Sequence, residues 1–316
     1  MSPRVRLKRR RKSSPLTRVK SNLVGHDSHG IIQLLEYCSR IDRGHIVPGA
    51  PFEVERETPN TAVINGNWGF GFVQTEKAMR MAIDKARDHG VAAMTLHHQS
   101  HVGRVGDYPT MALNEGMIAL VTADSGAGPK NAAPFGGRAR RLGTNPICIG
   151  VPSELPGPVL LDMATSAVAM GKINLQRSRG EPVPLGWIVD KDGKPTTDPN
   201  DYFAGGAILP VGADQGHKGY GLSFMARHND GVFISVYNVE HFRPLDDFKR
   251  EMREFVEFIK TSPPAEGFTE VLYPGEIEYN TELKRREEGI FVEDQTWDGI
   301  TALMEEVGVA EAVGKP

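Results

Sequence analysis

The chain has 316 residues, 39% hydrophobic and 24% charged, with a net charge of −3; that length carries a sizeable core in one large or two modest domains. No run approaches the roughly 18 apolar residues of a membrane helix, and no apolar signal-peptide core follows the N-terminus. Two cysteines, Cys38 and Cys148, exclude a disulfide framework and a cysteine-based zinc site and fit a reducing cytoplasm. Charge is uneven along the chain. Nine of the 37 basic residues lie in residues 1–20 (Arg4, Arg6, Lys8, Arg9, Arg10, Arg11, Lys12, Arg18 and Lys20), which hold no acid, so the remaining 28 face all 40 acidic residues, a balance of −12. Residues 1–21 therefore read as a basic, disordered tail. Such a tail leaves a nucleic-acid partner open, but the body has no basic pattern to extend it.

In chain order, residues 28–41 carry the stripe Ile31, Leu34, Leu35, Cys38 and Ile41 of an amphipathic helix. Ser28 is its expected N-cap, which places His29 at the first helical position, where the positive end of the dipole favours a neutral imidazole. Residues 61–66 read as a strand. A helix over 74–89 follows, with Ala78, Met79, Ala82, Ile83 and Ala86 inward and Gly90 as its stop. A strand over 91–96 leads into the loop HHQSHVGRVG. A helix over 107–115 and a strand over 117–123 come next. Strands over 147–152 and 158–162, a strand-to-helix transition in DMATSAVAMGK, a helix over 217–226, a strand over 232–237 and an amphipathic helix over 245–260 complete the pattern. The tail to about residue 308 reads as short strands alternating with helices. Strand–helix–strand order makes an α/β unit, whose chemistry collects at the carboxyl ends of strands; the loops at 97–106 and 124–137 lie there.

Three constellations are candidates for chemistry. Ser28–His29 is either a capped helix start or a neutral histidine that accepts a substrate's hydroxyl proton. His97, His98 and His101 form either a polar loop, an acid/base site, or a zinc site from the four-residue spacing of His97 and His101; Gly103 and Gly106 favour a loop, and no acid follows at metalloprotease spacing. Nucleotide motifs are incomplete. There is no GxxxxGK[ST], and GFGFVQ fails the GxGxxG pattern at Gln74. LLDMATSAVAMGK offers helix-start amides for a phosphate or ribose, with Asp162 as acceptor for ribose hydroxyls. QGHKGYGL offers close backbone approach and the charge of Lys218. Each is weak alone.

Taken in order, NLVGHDSHGI, SHVGRVGDY, PFGGRARRLGTNPICIGVP, LLDMATSAVAMGK, GWIVDKDGKPTTDP and GHKGYGL resemble the malate/L-lactate dehydrogenase family, which is distinct from the Rossmann lactate and malate dehydrogenases. It includes L-sulfolactate, ureidoglycolate and 2,3-diketogulonate enzymes and imine reductases. The resemblance implies an α/β, non-Rossmann NAD(P)-binding fold with a mixed central sheet flanked by helices. It implies a homodimer that interconverts a small 2-hydroxy acid and its 2-oxo acid with NAD or NADP. Its catalytic residues would be His29, His101 and Asp124, with Ser28, Gln33 and Tyr37 binding substrate. Asp162, Met163, Ala164, Thr165, Ser166, Lys218, Gly219, Gly275 and Glu276 would bind cofactor. One catalytic unit would span 22–316: a substrate part to about 75, a cofactor part over 76–245, and a C-terminal part over 246–316.

Three departures stand out. Gln33 stands where the family usually has Arg, whose guanidinium would pair with the substrate carboxylate through two parallel bonds. The family's first helices are replaced by the basic tail. After Ala226 the chain jumps to RHNDGVFISV, as if roughly 25 residues were missing, and lost packing exposes apolar surface. The competing readings are a metal-dependent lyase or hydrolase using His97, His98 and His101, and a truncated, inactive family member.

Overall fold

The computed structural model describes residues 14–124, 130–226 and 231–309. Of the basic stretch, Arg4 to Lys12 lie outside these residues. Helix α1 (Ser14–Leu23) begins within the segment assigned to the tail and precedes a 3-10 turn (Asp27–His29) and α2 (Gln33–Asp42). Then follow β1 (Glu53–Glu57), β2 (Thr61–Gly69), α3 (Gly71–His89), β3 (Val91–Gln99), α4 (Asp107–Leu113), β4 (Met117–Ala123), β5 (Ile147–Val151) and β6 (Val159–Met163). The second half holds α5 (Met170–Arg179), β7 (Ile188–Val189), β8 (Pro195–Thr196), α6 (Pro199–Phe203), β9 (Ala207–Ile208), α7 (Gly216–Met225), β10 (Gly231–Asn238), α8 (Leu245–Lys260), α9 (Glu276–Glu288) and α10 (Asp294–Glu306).

Seven strands form one sheet in the order β1-β2-β3-β10-β4-β5-β6. Only β2 and β3 pair in parallel, joined through α3; the other neighbours are antiparallel. The sheet is therefore mixed. The three short strands make a second, antiparallel sheet, β8-β7-β9. The expected strands after residue 260 are absent among the described residues: that region is the two helices α9 and α10. Its charged sequence satisfies itself with ion pairs along and between helices rather than by edge pairing in a sheet.

Alternation of side chains along each strand puts Ala62, Ile64, Ala92, Met94, Leu96, Ala119, Val121, Val232, Ile234 and Val236 on one face. The α3 stripe, Ala78, Met79, Ala82, Ile83 and Ala86, packs on that face together with Tyr108 and Ala112 of α4. Small residues on α3 allow close approach of helix and sheet. The opposite face carries Val63, Ile118, Leu120, Ile149, Leu161, Phe233 and Tyr237 at half-buried or exposed positions, with Leu161 and Tyr237 each 38% exposed. A sheet apolar on both faces is one built to be covered on both.

β2, β3, β4 and β6 all end at the same side of the sheet, since β5 and β10 run against their neighbours. The start of α3 is set by Gly71: a Cβ there would lie 1.9 Å from Ser100 O. That contact seats the end of β2 against the loop carrying His101. β3 runs on through His97 and His98 to Gln99, so these two histidines lie on a strand and not in the loop expected for them.

Candidate active site

The turn GHDSHG departs from the expected capped helix. Asp27–His29 form a separate 3-10 turn, Gly30 is extended (φ −84°, ψ −147°), and α2 starts at Gln33 after Ile32, with no side-chain cap. Ser28 caps nothing: its hydroxyl lies 3.0 Å from His29 Nδ1. Asn22 takes the Ile31 amide that Ser28 was expected to cap, its Oδ1 accepting at 2.9 Å. A Cβ on Gly30 would fall 2.1 Å from that same oxygen, so the glycine is what lets Asn22 in. His29 thus sits at the end of a 3-10 turn, and the helix-dipole reason for a neutral ring does not apply to it.

His101, far along the chain, meets His29, and Tyr37 meets His101. The His29 ring stacks on His101, with centroids 5.5 Å apart and planes at 28°. Tyr37 Oη lies 2.8 Å from His101 Nδ1. Tyr37 is 3% exposed and packs among Ile41, Ile46 and Phe72, so α2's inner face fixes its hydroxyl. If the hydroxyl donates, the neutral ring carries its proton on Nε2; if it accepts, Nε2 is the basic nitrogen. Gln33 turns back along α2, and its Nε2 donates to Ser28 O at 2.7 Å.

Asp124 follows β4 at the same side of the sheet. Its amide donates to Gly231 O at 2.8 Å, and Gly231 is in turn the register partner of His97. Part of the 124–137 loop, residues 125–129, lies outside the described residues.

The expected cofactor segments have mostly protein partners. Asp162 Oδ2 accepts from the Gly106 amide at 2.9 Å and lies 3.5 Å from Arg104 Nε, whose Nη1 donates to Asp107 at 3.0 Å. The Thr165 hydroxyl donates to Thr144 O and Asn145 O, and the Ser166 hydroxyl donates to Val168 O, each at 3.0 Å. From Asp162 through Met163 and Ala164 to Ser166, the segment therefore offers a ligand its backbone and shape more than its hydroxyls. It leads into α5, whose start has no side-chain cap. A Cβ on Gly171 would meet only Ser28 Cβ, at 3.9 Å, so this helix start opens toward the Ser28–His29 turn. On α7, Lys218 is exposed and Gly219 buried. Gly275 precedes α9. Glu276 accepts from the Tyr273 amide and pairs with Lys260, while Pro274 O accepts from Leu160 on the edge strand β6.

The three histidines of LHHQSH are not brought together. His97 Nε2 lies 3.0 Å from Glu55 on β1, and its Nδ1 lies 3.1 Å from His98 Nδ1. His98 also meets the Trp68 ring at 5.2 Å, while His101 belongs to Tyr37 and His29. Among the described residues no cluster of three His, Cys, Asp or Glu is arranged to hold a metal ion. His97 and His98 touch each other on β3, and the chain turns before His101.

The sequence reading missed Asn22, Glu278 and Arg285. Arg285 forks onto Asp27 at 2.7 and 3.0 Å, Glu278 lies 3.5 Å from His26, and Asn22 Nδ2 donates to Asp27 at 2.7 Å. His26 and Asp27 therefore act as scaffold. The signal available was the Glu278–Thr281–Arg285 spacing, which shares one face of a helix, but nothing local ties it to residue 27.

The family model described as malate/L-lactate dehydrogenase matches residues 16–228 and 226–301, two stretches that meet where the sequence jumps after Ala226. A malate dehydrogenase of Pyrococcus abyssi is 35% identical, covering 92% of this chain and 86% of its own length. An L-sulfolactate dehydrogenase of Methanocaldococcus jannaschii is 36% identical, covering 92% and 88%. Among solved structures, malate dehydrogenase from Entamoeba histolytica superposes with a TM-score of 0.89 at 30% identity, over 100% of this chain and 96% of that one. The M. jannaschii sulfolactate dehydrogenase gives 0.84 at 35% identity, over 93% and 89%. With sequence and fold matched over nearly its whole length, the chain belongs to the malate/L-lactate dehydrogenase family.

Proposed function

We propose that the chain is an NAD(P)-dependent oxidoreductase that interconverts a small 2-hydroxy acid, of the malate or lactate kind, and its 2-oxo acid. The observation that carries this reading is the stack of His29 on His101, with Ser28 at one ring and Tyr37 at the other. In the oxidation direction a histidine takes the hydroxyl proton of the substrate as the hydride leaves its C2 carbon. The nicotinamide, when bound, takes up that hydride. Tyr37 holds the His101 ring and Ser28 steadies His29, so either histidine is placed to carry the proton, and Asp124 is the third member assigned to the site.

The substrate carboxylate needs donors. Gln33 brings amide hydrogens without charge and spends one on Ser28 O. The first-turn amides of α5, opening toward Ser28, suit an anionic group. The 162–166 backbone and the exposed Lys218 fit the phosphates of a dinucleotide. Gly219 and the Gly275–Glu276 turn complete the segments assigned to it. A homodimer is supported by the apolar second face of the sheet. A cytoplasmic setting is supported by Cys38 and Cys148 as free thiols, Cys148 being buried and its ionisation pushed up by that burial. The catalytic unit takes in α1 and so begins before residue 22, and no helix among the described residues is long and apolar enough to cross a membrane.

The test is absorbance of the reduced nicotinamide, with NAD or NADP and a panel of 2-hydroxy and 2-oxo acids. Turnover of at least one pair is expected. Folded protein that changes the absorbance with no pair defeats the reading.

A further inference from the structure

The Ser28–His29 turn is held from the far end of the chain. α9 presents Glu278, Thr281 and Arg285 on one face, and each meets the turn. Arg285 forks onto the two Asp27 oxygens at 2.7 and 3.0 Å and donates to Asn22 O. Asn22 donates to the same Asp27 oxygen and accepts from the Ile31 amide, so one cluster ties both ends of the turn. Glu278 lies 3.5 Å from His26 Nε2. Thr281 Cγ2 lies 3.2 Å from where a Cβ on Gly25 would stand.

None of the three residues of the 3-10 turn is buried. Hydrophobic packing therefore does not fix it, and these polar bonds anchor it to α1 and α9, beside the Gln33 bond to Ser28 O and the His29 stack on His101. A lone exposed ion pair contributes little. This one is bidentate and shared with Asn22, which adds geometric specificity. Burial would raise the Asp27 carboxyl, yet the Arg285 and Asn22 bonds hold it below the usual carboxylate range.

We propose that Arg285 is a positioning residue for the reaction: its fork on Asp27 sets the 3-10 turn, and so the His29 ring, against His101. The proposal rests on the reading of His29 as a proton carrier. Misplacing a reacting group by about 1 Å costs on the order of 100-fold in rate, so a turn released by a single substitution should lose turnover and keep its ligands.

The experiment compares Arg285→Gln, Arg285→Lys, Asp27→Asn and the Asp27→Asn/Arg285→Gln double variant with the unaltered protein. It measures kcat, KM, the Kd of the reduced cofactor, and the imidazole resonances of 15N-histidine-labelled protein. Arg285→Gln is expected to lower kcat about 10- to 100-fold, with KM and cofactor Kd within about threefold. The His29 resonance is expected to move while those of His97 and His98 stay. Arg285→Lys, which keeps the charge and one bond, recovers most of the rate. The double variant is no worse than Arg285→Gln alone, because both single changes break the same link. Unchanged kcat with an unmoved His29 resonance overturns the proposal. So do single losses that multiply in the double variant. If the unaltered protein turns over no acid, the functional reading fails separately. The His29 resonance then decides this proposal alone: moved supports it, unmoved overturns it.

Discussion

Replacing Tyr37 by Phe removes one oxygen from a packed site and tests whether His101 is held for a purpose. The ring stays among Ile41, Ile46 and Phe72, so no cavity larger than a hydroxyl opens. The 2.8 Å contact to His101 Nδ1 is lost. A net hydrogen bond contributes about 0.5–1.5 kcal/mol to stability. His101 is half-buried, so water reaches it and the loss falls in the lower half of that range. With an unfolding entropy of about 2 cal/mol/K per residue, that is a fall in Tm of about 1–2 °C for a chain of this length. The catalytic effect should be larger than the stability effect, because an imidazole released from Tyr37 loses both its orientation and its tautomer preference. A drop of about tenfold in kcat corresponds to roughly 1.4 kcal/mol in the transition state. Thermal melting and steady-state kinetics on the same preparation separate the two. A lowered Tm with kcat within twofold of the unaltered enzyme would refute the reasoning, since Tyr37 would then serve the core of α2 and not the histidine.

Three further outcomes follow from the same geometry. Gln33→Arg should lower KM for a 2-hydroxy acid about tenfold by adding a charged, forked donor beside Ser28; an unchanged KM in steady-state kinetics removes Gln33 from the carboxylate site. Leu161→Asp places a charge on the uncovered face of the sheet and should convert a dimer to monomer by light scattering, and a dimer that survives it uses another surface. Asp27 has a folded pKa held below its unfolded value of about 3.9, so its stabilising contribution is whole above that unfolded value and is lost as pH falls through the folded one. Arg285→Gln should therefore flatten the acid limb of the melting curve, and an identical acid limb in both proteins contradicts the assigned cause.

Elements whose signal is local were legible in the sequence. The boundaries of β4 and α8 follow directly from alternation and from the 3.6-residue stripe. The α3 stripe is buried as expected. The stripe expected on α8, Leu245, Phe248, Met252, Phe255, Val256 and Ile259, is not: Phe255 and Ile259 are 56% and 37% exposed, and only Val256 is buried. Periodicity reports which face is apolar, not whether this chain alone covers it. β3 was read three residues short because His97 and Gln99 face the second side of the sheet, where polar residues imitate a loop. α9 was missed because it buries no residue, and the polar bonds that tie it to His26 and Asp27 reach more than 250 residues back along the chain. For the site, residue types alone singled out His29 and His101 as candidates with bland alternatives beside them, and Tyr37 entered only through the family resemblance. Their meeting is a tertiary fact. Ser28 failed as a cap because Asn22, six residues earlier, reaches the Ile31 amide first.

The jump after Ala226 follows an apolar helix end: Leu222, Phe224 and Met225 at the end of α7 are 45%, 63% and 69% exposed, surface of the kind that unmade packing leaves. The strand that follows is intact. β10 lies at the centre of the sheet, with seven register pairs to β3 and seven to β4. α7 is also tied down before the jump: the Asn145 amide donates to Ser223 O at 3.1 Å, and Gly219 packs against the Val211 backbone. Because β10 stays paired on both sides, the ends of β3 and β4 keep their spacing, and with them the loop that carries His101 and the position of Asp124. The exposed end of α7 therefore leaves intact the frame that sets the ends of β3 and β4 side by side, and the departure at Gln33 lies outside that frame, beside the Ser28–His29 turn.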